Sequence, residues 1–390
     1  MLSKVFLIKI CVFLLLYISY YIFNFDGTFL VALTIGVVLA FVKEKNPAHA
    51  FWSIAFTSFI FYPFFLSLLL GFNGINNDLY INILFIFIYI LHLNNDDVVG
   101  FSGFLNTPAW GYALLCGFSF LVLFFLPYWF HFLVSAFLLW ILISSERKDD
   151  YKFFIKFICY ISYYISFIAF IWDGFGRLIL FAYVFLPIYV YLVRYNFPIL
   201  KVSLFFNVIL MPLMSLVRYG KLEFETMLTD SSVSAFFLLN EIYEKIKNNN
   251  LFSVDFGGFF NQFILLFISF IPRDFLPIKP IGFGRLYVVR EMNTSQYSDE
   301  HSIAATLFGD PLYYLGLWLW VPFSIIIIYM LVYFYSYIKK LKSNLDVVFL
   351  IFIPTLVWGG MASFSSRFLF LFLFLLLLSK ILIHRRYSNV

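Results

Sequence analysis

The sequence predicts an all-α polytopic integral membrane protein with about 12 to 14 transmembrane helices and one large external loop. Three observations carry this expectation: the composition, the spacing of the apolar runs, and the side on which basic residues fall. The 390 residues are 63% hydrophobic and 12% charged, with a mean hydropathy of +0.94, whereas soluble domains carry roughly 25% charged residues. Aromatic residues make up 24%, with 57 Phe and 27 Tyr, which supplies wide apolar faces and amphipathic rings for membrane interfaces. No room is left for a conventional soluble domain, so residues 1–390 read as one membrane domain.

Taken in order, apolar runs lie at about 5 to 23, 29 to 42, 51 to 71, 79 to 93, 109 to 125, 127 to 143, 153 to 171, 178 to 193 and 202 to 216. Three more close the chain, at about 312 to 335, 346 to 362 and 367 to 383. Runs of this length bounded by polar or glycine-containing breaks are what membrane helices require. Lys4 and Lys9 precede the first run, and no small-residue cleavage pattern follows it, so it is expected to be a retained helix rather than a signal peptide. Cys11, Cys116 and Cys159 sit inside apolar runs without paired spacing, which suits small packing residues and neither a disulfide framework nor a thiolate metal site.

Orientation follows from the preference of Lys and Arg for the cytoplasmic side. With the N-terminus inside and the chain alternating sides, Lys43, Lys45, Arg147, Lys148, Lys152, Arg194, Lys201, Lys339, Lys340, Lys342, Arg385 and Arg386 all fall inside. Of 26 Lys and Arg, 18 are inside and 8 outside: Arg177, Arg218, Lys221, Arg273, Lys279, Arg285, Arg290 and Arg367. The assignment closes only if residues 217 to 271 cross the membrane an even number of times. Crossing twice would make a hairpin with Lys245 and Lys247 at an inner tip. Not crossing would leave an amphipathic helix over 232 to 247 in the outer interface, because Glu241 and Glu244 are costly in a lipid-facing span. Both remain open, and 217–258 is read as a second external or hairpin segment.

Residues 272–312 form the large external loop. It runs Pro-Arg-Asp-Phe-Leu-Pro-Ile-Lys-Pro over 272 to 280, then includes Arg285, Arg290, Glu291, Asp299, Glu300, His301 and Asp310. Any single one of these reads equally well as a solvated loop charge. Cations on the disfavoured side are harder to dismiss together, since guanidinium groups hold phosphate through a planar fork of donors. A lipid-linked diphosphate would explain several at once. Arg218 also suits a helix-end anchor, and Arg177, after Trp172-Asp173-Gly174-Phe175-Gly176, suits either a cavity lining or a helix cap. Asp299, Glu300 and His301 are adjacent in sequence and point in different directions, so no metal site is expected. No phosphate-cradling nucleotide motif appears in the cytoplasmic loops. Nothing in the pattern implies a cofactor or a nucleic-acid partner. The eye finds no internal repeat, which weakens transporter readings built on symmetric halves.

The stretch Ile271-Pro272-Arg273 through Pro277-Ile278-Lys279-Pro280, with Tyr314-Leu315-Gly316-Leu317 at the entry to the next helix, resembles the large periplasmic loop of Wzy-type O-antigen polymerases. Such polymerases are polytopic, keep both termini in the cytoplasm and carry two arginine-rich periplasmic loops, here those starting near Arg218 and Pro272. Where the family often shows a Glu before the next span, this chain has Gly309-Asp310-Pro311. The resemblance implies a glycosyltransferase of the bacterial inner membrane that joins undecaprenyl-diphosphate-linked oligosaccharide repeat units into O-antigen or capsule-like polysaccharide. It also implies a chain-length regulator protein as a partner beyond the lipid bilayer. On that basis Arg273, Arg285, Arg218, Lys279, Arg290 and Arg177 are expected to bind the diphosphate or glycan. Glu300, His301, Asp299 and Glu291 are the candidates for a base. The alternatives are an O-antigen ligase, which uses the same donor, and a lipid-linked oligosaccharide flippase or transporter.

Overall fold

The computed structural model describes residues 27–43, 46–69, 75–94, 109–126, 153–170, 231–248, 254–269, 271, 273–292, 304–340 and 345–387, with Cys11 and scattered positions from 131 to 142. These are helical or irregular, with no strand among the described residues. In chain order the helices are α1 (Gly27–Phe41), α2 (Pro47–Leu69), α3 (Asn77–Leu93), α4 (Ala109–Leu123), α5 (Phe153–Phe170), α6 (Ser231–Asn248) and α7 (Phe256–Ile268). A short α8 (Phe283–Tyr287), prolonged by a wider turn over Val288–Met292, leads to α9 (Gly309–Lys340) and α10 (Leu345–Tyr387). The expected first run and the runs at 178 to 193 and 202 to 216 lie outside the described residues, apart from Cys11.

Among the described residues, three helices are long and apolar enough to cross a membrane: Pro47–Leu69, Gly309–Lys340 and Leu345–Ser366. Their outer faces fit that reading. Trp318 is 90% exposed on α9, and Tyr329, Tyr333 and Tyr337 are exposed further along it, a row of rings that lipid rather than water would cover. The core is aromatic: Phe56, Phe61 and Phe87 pack with centroids 4.8 to 6.0 Å apart, and Phe64 stacks on Tyr80 at 3.7 Å.

Local chemistry starts the helices where the apolar runs begin. The Asn46 side chain accepts from the amides of Ala48 and His49, with Pro47 in the first turn, and Asn76 does the same for Asp78 and Leu79. Each pairs amides that no intrahelical carbonyl can reach. In α2 the helix widens over Thr57–Phe61 just before Pro63, which relieves the clash a proline ring makes with the preceding turn.

Two helices are broken at glycine. Gly316 in α9 has φ 70°, ψ −174°, and Gly360 in α10 has φ 74°, ψ −171°, a region essentially confined to glycine. At Gly360 the chain folds back on itself. Phe349 lies 5.4 Å from Phe368, and Phe352 lies 6.1 Å from Phe368, contacts no straight helix could make across 16 or more residues. The two closing runs of the sequence are therefore arms of one hairpin whose reversal is at Gly360, ahead of the break expected at 363 to 366.

Candidate functional site

The described residues of the expected external loop gather where α7, α8 and the starts of α9 and α10's second arm meet. The loop is not structureless. After α7, residues 273 to 281 run back along the helix they have just left, and α8 follows.

Two cations hold that return. Arg273 donates through Nη1 to the Lys279 carbonyl at 3.0 Å and through Nη2 to the Pro280 carbonyl at 2.9 Å. The Lys279 ammonium donates to the carbonyls of Ser269, at 2.6 Å, and Ile271, at 2.8 Å. These carbonyls lie at and just beyond the C-terminal end of α7, where orphaned acceptors and the helix dipole favour a cation. Burial, and then the Arg273 charge, hold the Lys279 ammonium below the ordinary lysine range. Arg273 and Lys279 thus act on the loop's own backbone, although the exposed Arg273 keeps further N–H donors.

Gln262 fixes the next segment. From its buried place on α7 its Nε2 donates to the Ile281 carbonyl and its Oε1 accepts from the Phe283 amide, both at 2.9 Å. Phe283 then packs against Tyr287, Tyr313 and Tyr314 with centroids 5.4 to 6.2 Å apart. α8 is seated by these rings over the start of α9. The Glu291 carboxylate accepts from the Tyr313 hydroxyl at 2.8 Å. Lys245 of α6 donates to the Tyr287 hydroxyl at 3.2 Å and bridges Glu241 at 2.8 Å. The Glu241 bond raises its pKa.

Arg285 and Arg290 differ from Arg273 and Lys279. Arg285 is half-buried on α8 and Arg290 is exposed one turn on. Neither guanidinium has a hydrogen-bond or ion-pair partner among the described residues. Of the other residues singled out in the sequence, Arg177, Arg218, Asp299, Glu300 and His301 lie outside the described residues.

α6 bears on the choice between a hairpin and an interfacial helix. Asn240 and Glu244 bind the Asn76 backbone amide and side chain at 2.8 and 2.7 Å, and Lys247 lies 3.9 Å from Asp78. Lys245 and Lys247 therefore sit at the same end of the bundle as α8, with segments expected outside. Neither α6 nor α7 is among the helices long and apolar enough to cross a membrane.

The structure adds one group to the site. Asp310 is 5% exposed and has no hydrogen bond or ion pair among the described residues. Its Oδ2 faces Gly360, 3.8 Å from where a Cβ would stand there, and the Thr306 carbonyl lies 3.3 Å from the same point. Thr306 has φ 60°, a strained position for a β-branched residue. The strain has a use: the amides of Thr306 and Leu307 donate to Trp358 and Val357 carbonyls at 3.1 and 3.0 Å, which the break at Gly360 frees. The Asp255 amide similarly pairs the Tyr314 carbonyl, at 2.8 Å, beside the break at Gly316. An acidic residue at the head of an apolar run was the sequence signal for Asp310.

Compared with known protein families, curated proteins and solved structures, the chain shows no match. The functional reading therefore rests on the site.

Proposed function

We propose that this chain is a membrane glycosyltransferase of the O-antigen polymerase type, joining undecaprenyl-diphosphate-linked oligosaccharide repeat units on the periplasmic face of the inner membrane. The observation that carries the reading is the pair Arg285 and Arg290. Two guanidinium groups without a hydrogen-bond or ion-pair partner among the described residues stand on a helix held by rings over an apolar bundle, where a lipid-borne anion could reach them. A fork of N–H donors suits diphosphate oxygens, and the apolar faces of the bundle suit the polyprenyl chain.

In the reaction an acceptor sugar hydroxyl attacks the anomeric carbon of the donor glycan. The bond from that carbon to the diphosphate oxygen breaks, and its electron pair stays with the diphosphate. The hydroxyl proton goes to a base, for which Glu291, Asp299, Glu300 and His301 are the candidates; Glu291 is oriented by Tyr313. Arg285 and Arg290 stabilise the charge that accumulates on the leaving group, with Arg218, Arg177 and the free donors of Arg273 in support. Both termini are cytoplasmic in this reading. α6 lies in the outer interface, and the chain crosses 12 times.

The test uses a strain lacking the gene, complemented with variants, and the surface polysaccharide resolved on a gel. Loss of polymerisation leaves single repeat units on the lipid A core, whereas a ligase or flippase defect leaves none. Hydrogen bonds to charged groups contribute about 1.5 to 3 kcal/mol, so Arg285→Ala is expected to slow transfer roughly tenfold to 150-fold. Arg285→Lys keeps the charge without the fork and restores activity only in part. Arg386→Ala is the control, expected to be silent. Normal ladders from both Arg285→Ala and Arg290→Ala at matched protein levels would refute the diphosphate role.

A further inference from the structure

We propose that the notch at the Gly360 reversal binds a small monovalent metal cation of the sodium type, with the Asp310 carboxylate and the Thr306 carbonyl as ligands. Two acceptor oxygens lie beside the reversal: a methyl at Gly360 would meet the Thr306 oxygen at 3.3 Å and the Asp310 Oδ2 at 3.8 Å. Neither can donate to the other while Asp310 is ionised. The Asp310 side chain receives no donor from any described residue, and no Lys or Arg among them compensates it. An ionised carboxylate buried in that position is costly unless a positive charge joins it, the alternative being a proton on the carboxyl itself. The Thr306 oxygen has lone pairs to give, since its one backbone contact, from the Gly309 amide, is long at 3.4 Å.

The donor set selects the class of ion. One carboxylate and neutral carbonyl oxygens make a hard, singly charged site. Divalent ions are usually held by more charge, and no group of three or more His, Cys, Asp or Glu exists among the described residues. The setting is also one that suits cations. Where a helix is unwound inside a bundle, its carbonyls turn toward a cavity instead of along the axis.

The experiment uses the purified full-length chain in lipid nanodiscs. Thermal unfolding is followed in sodium, potassium and choline chloride at constant ionic strength and fixed pH, and repeated at two pH values. Sodium is expected to raise the unfolding temperature by roughly a few degrees, saturably, as binding to the folded state alone requires. Asp310→Asn removes the negative charge and should abolish the sodium response. Gly360→Ala, which puts a methyl into the notch, should shift the response to higher sodium concentration. Should Asp310→Asn fail to fold, the salt series on the unaltered chain still decides. Equal stability in sodium and choline overturns the proposal, as does a sodium response retained in Asp310→Asn. Stability that follows pH identically in every salt also overturns it, because a proton alone then occupies the carboxyl.

Discussion

Gln262→Ala isolates the contact that seats α8. The carboxamide makes two hydrogen bonds of 2.9 Å, to the Ile281 carbonyl and from the Phe283 amide, and the residue is 2% exposed. Each bond contributes roughly 0.5 to 1.5 kcal/mol net, and leaving a buried donor unpaired adds about 1 to 3 kcal/mol. The loss is therefore about 2 to 6 kcal/mol, concentrated on the segment from Ile281 to Tyr287. Because that segment carries Arg285, the opening of α8 should increase by roughly 30-fold to more than 10,000-fold while the helices beneath it stay paired. Hydrogen exchange read by mass spectrometry on the full chain in detergent measures this directly: peptides covering 281–287 should lose protection, and those covering α3 should not. Unchanged exchange across 281–287, with the variant folded, would show that the aromatic contacts of Phe283 hold α8 unaided.

Gly360→Ala must place a side chain at φ 74° and bring the Thr306 oxygen within 3.3 Å, so it should destabilise by about 1 to 3 kcal/mol. Gly36→Ala and Gly117→Ala, in helices with nothing within 4 Å of the added carbon, should be neutral or gain up to about 1 kcal/mol; equal unfolding temperatures for all three would contradict the strain. Reporter fusions near Asn293 should read periplasm, and those after Lys342 and Val390 cytoplasm. A cysteine at Asn249 should react with an impermeant reagent added from the periplasm, because α6 sits at the α8 end; protection there would restore the two-crossing hairpin.

Among the described residues, helices were legible in the sequence where a long apolar run had a polar start. The runs expected at 79 to 93, 109 to 125 and 153 to 171 match α3, α4 and α5 to within about two residues, since hydrocarbon length and a cap such as Asn76 are both local properties. The breaks were not legible. Gly316 and Gly360 look like ordinary glycines in apolar runs. What makes them breaks is the supply of amides from Asp255, Thr306 and Leu307, which are distant in sequence. α8 was hidden for a related reason: five residues have too little periodicity to announce a helix, and its seat comes from Gln262 on another element. Charge was the least transparent signal. The outward bias singled out Arg273, Lys279, Arg285 and Arg290 together, with Arg273 and Arg285 put first for the diphosphate and Lys279 and Arg290 second. The fold divides them into two that close the loop's own carbonyls and two without a hydrogen-bond or ion-pair partner among the described residues.

That division follows from how a bundle in lipid can end. Backbone that leaves the helix inside an apolar bundle must find its hydrogen bonds within the protein, so each break requires a second segment to enter and pair it. The segment that pairs Gly360 is residues 306–307, and it reaches the reversal only because Thr306 accepts a positive φ. Once there, it carries the following Gly309-Asp310 with it, and the small Gly309, on which Phe283 rests, lets α8 close over the turn. The depth of Asp310 is thus a consequence of capping the α10 carbonyls, as is the seating of α8 above it. A substitution that only reverses the strain, such as Thr306→Gly, should therefore keep both features, whereas Gly309→Leu, whose first carbon alone would meet Ala305 at 2.6 Å, should displace them together. If exchange at 281–287 and the sodium response were to change independently in Gly309→Leu, the two would not share the structural cause argued for them.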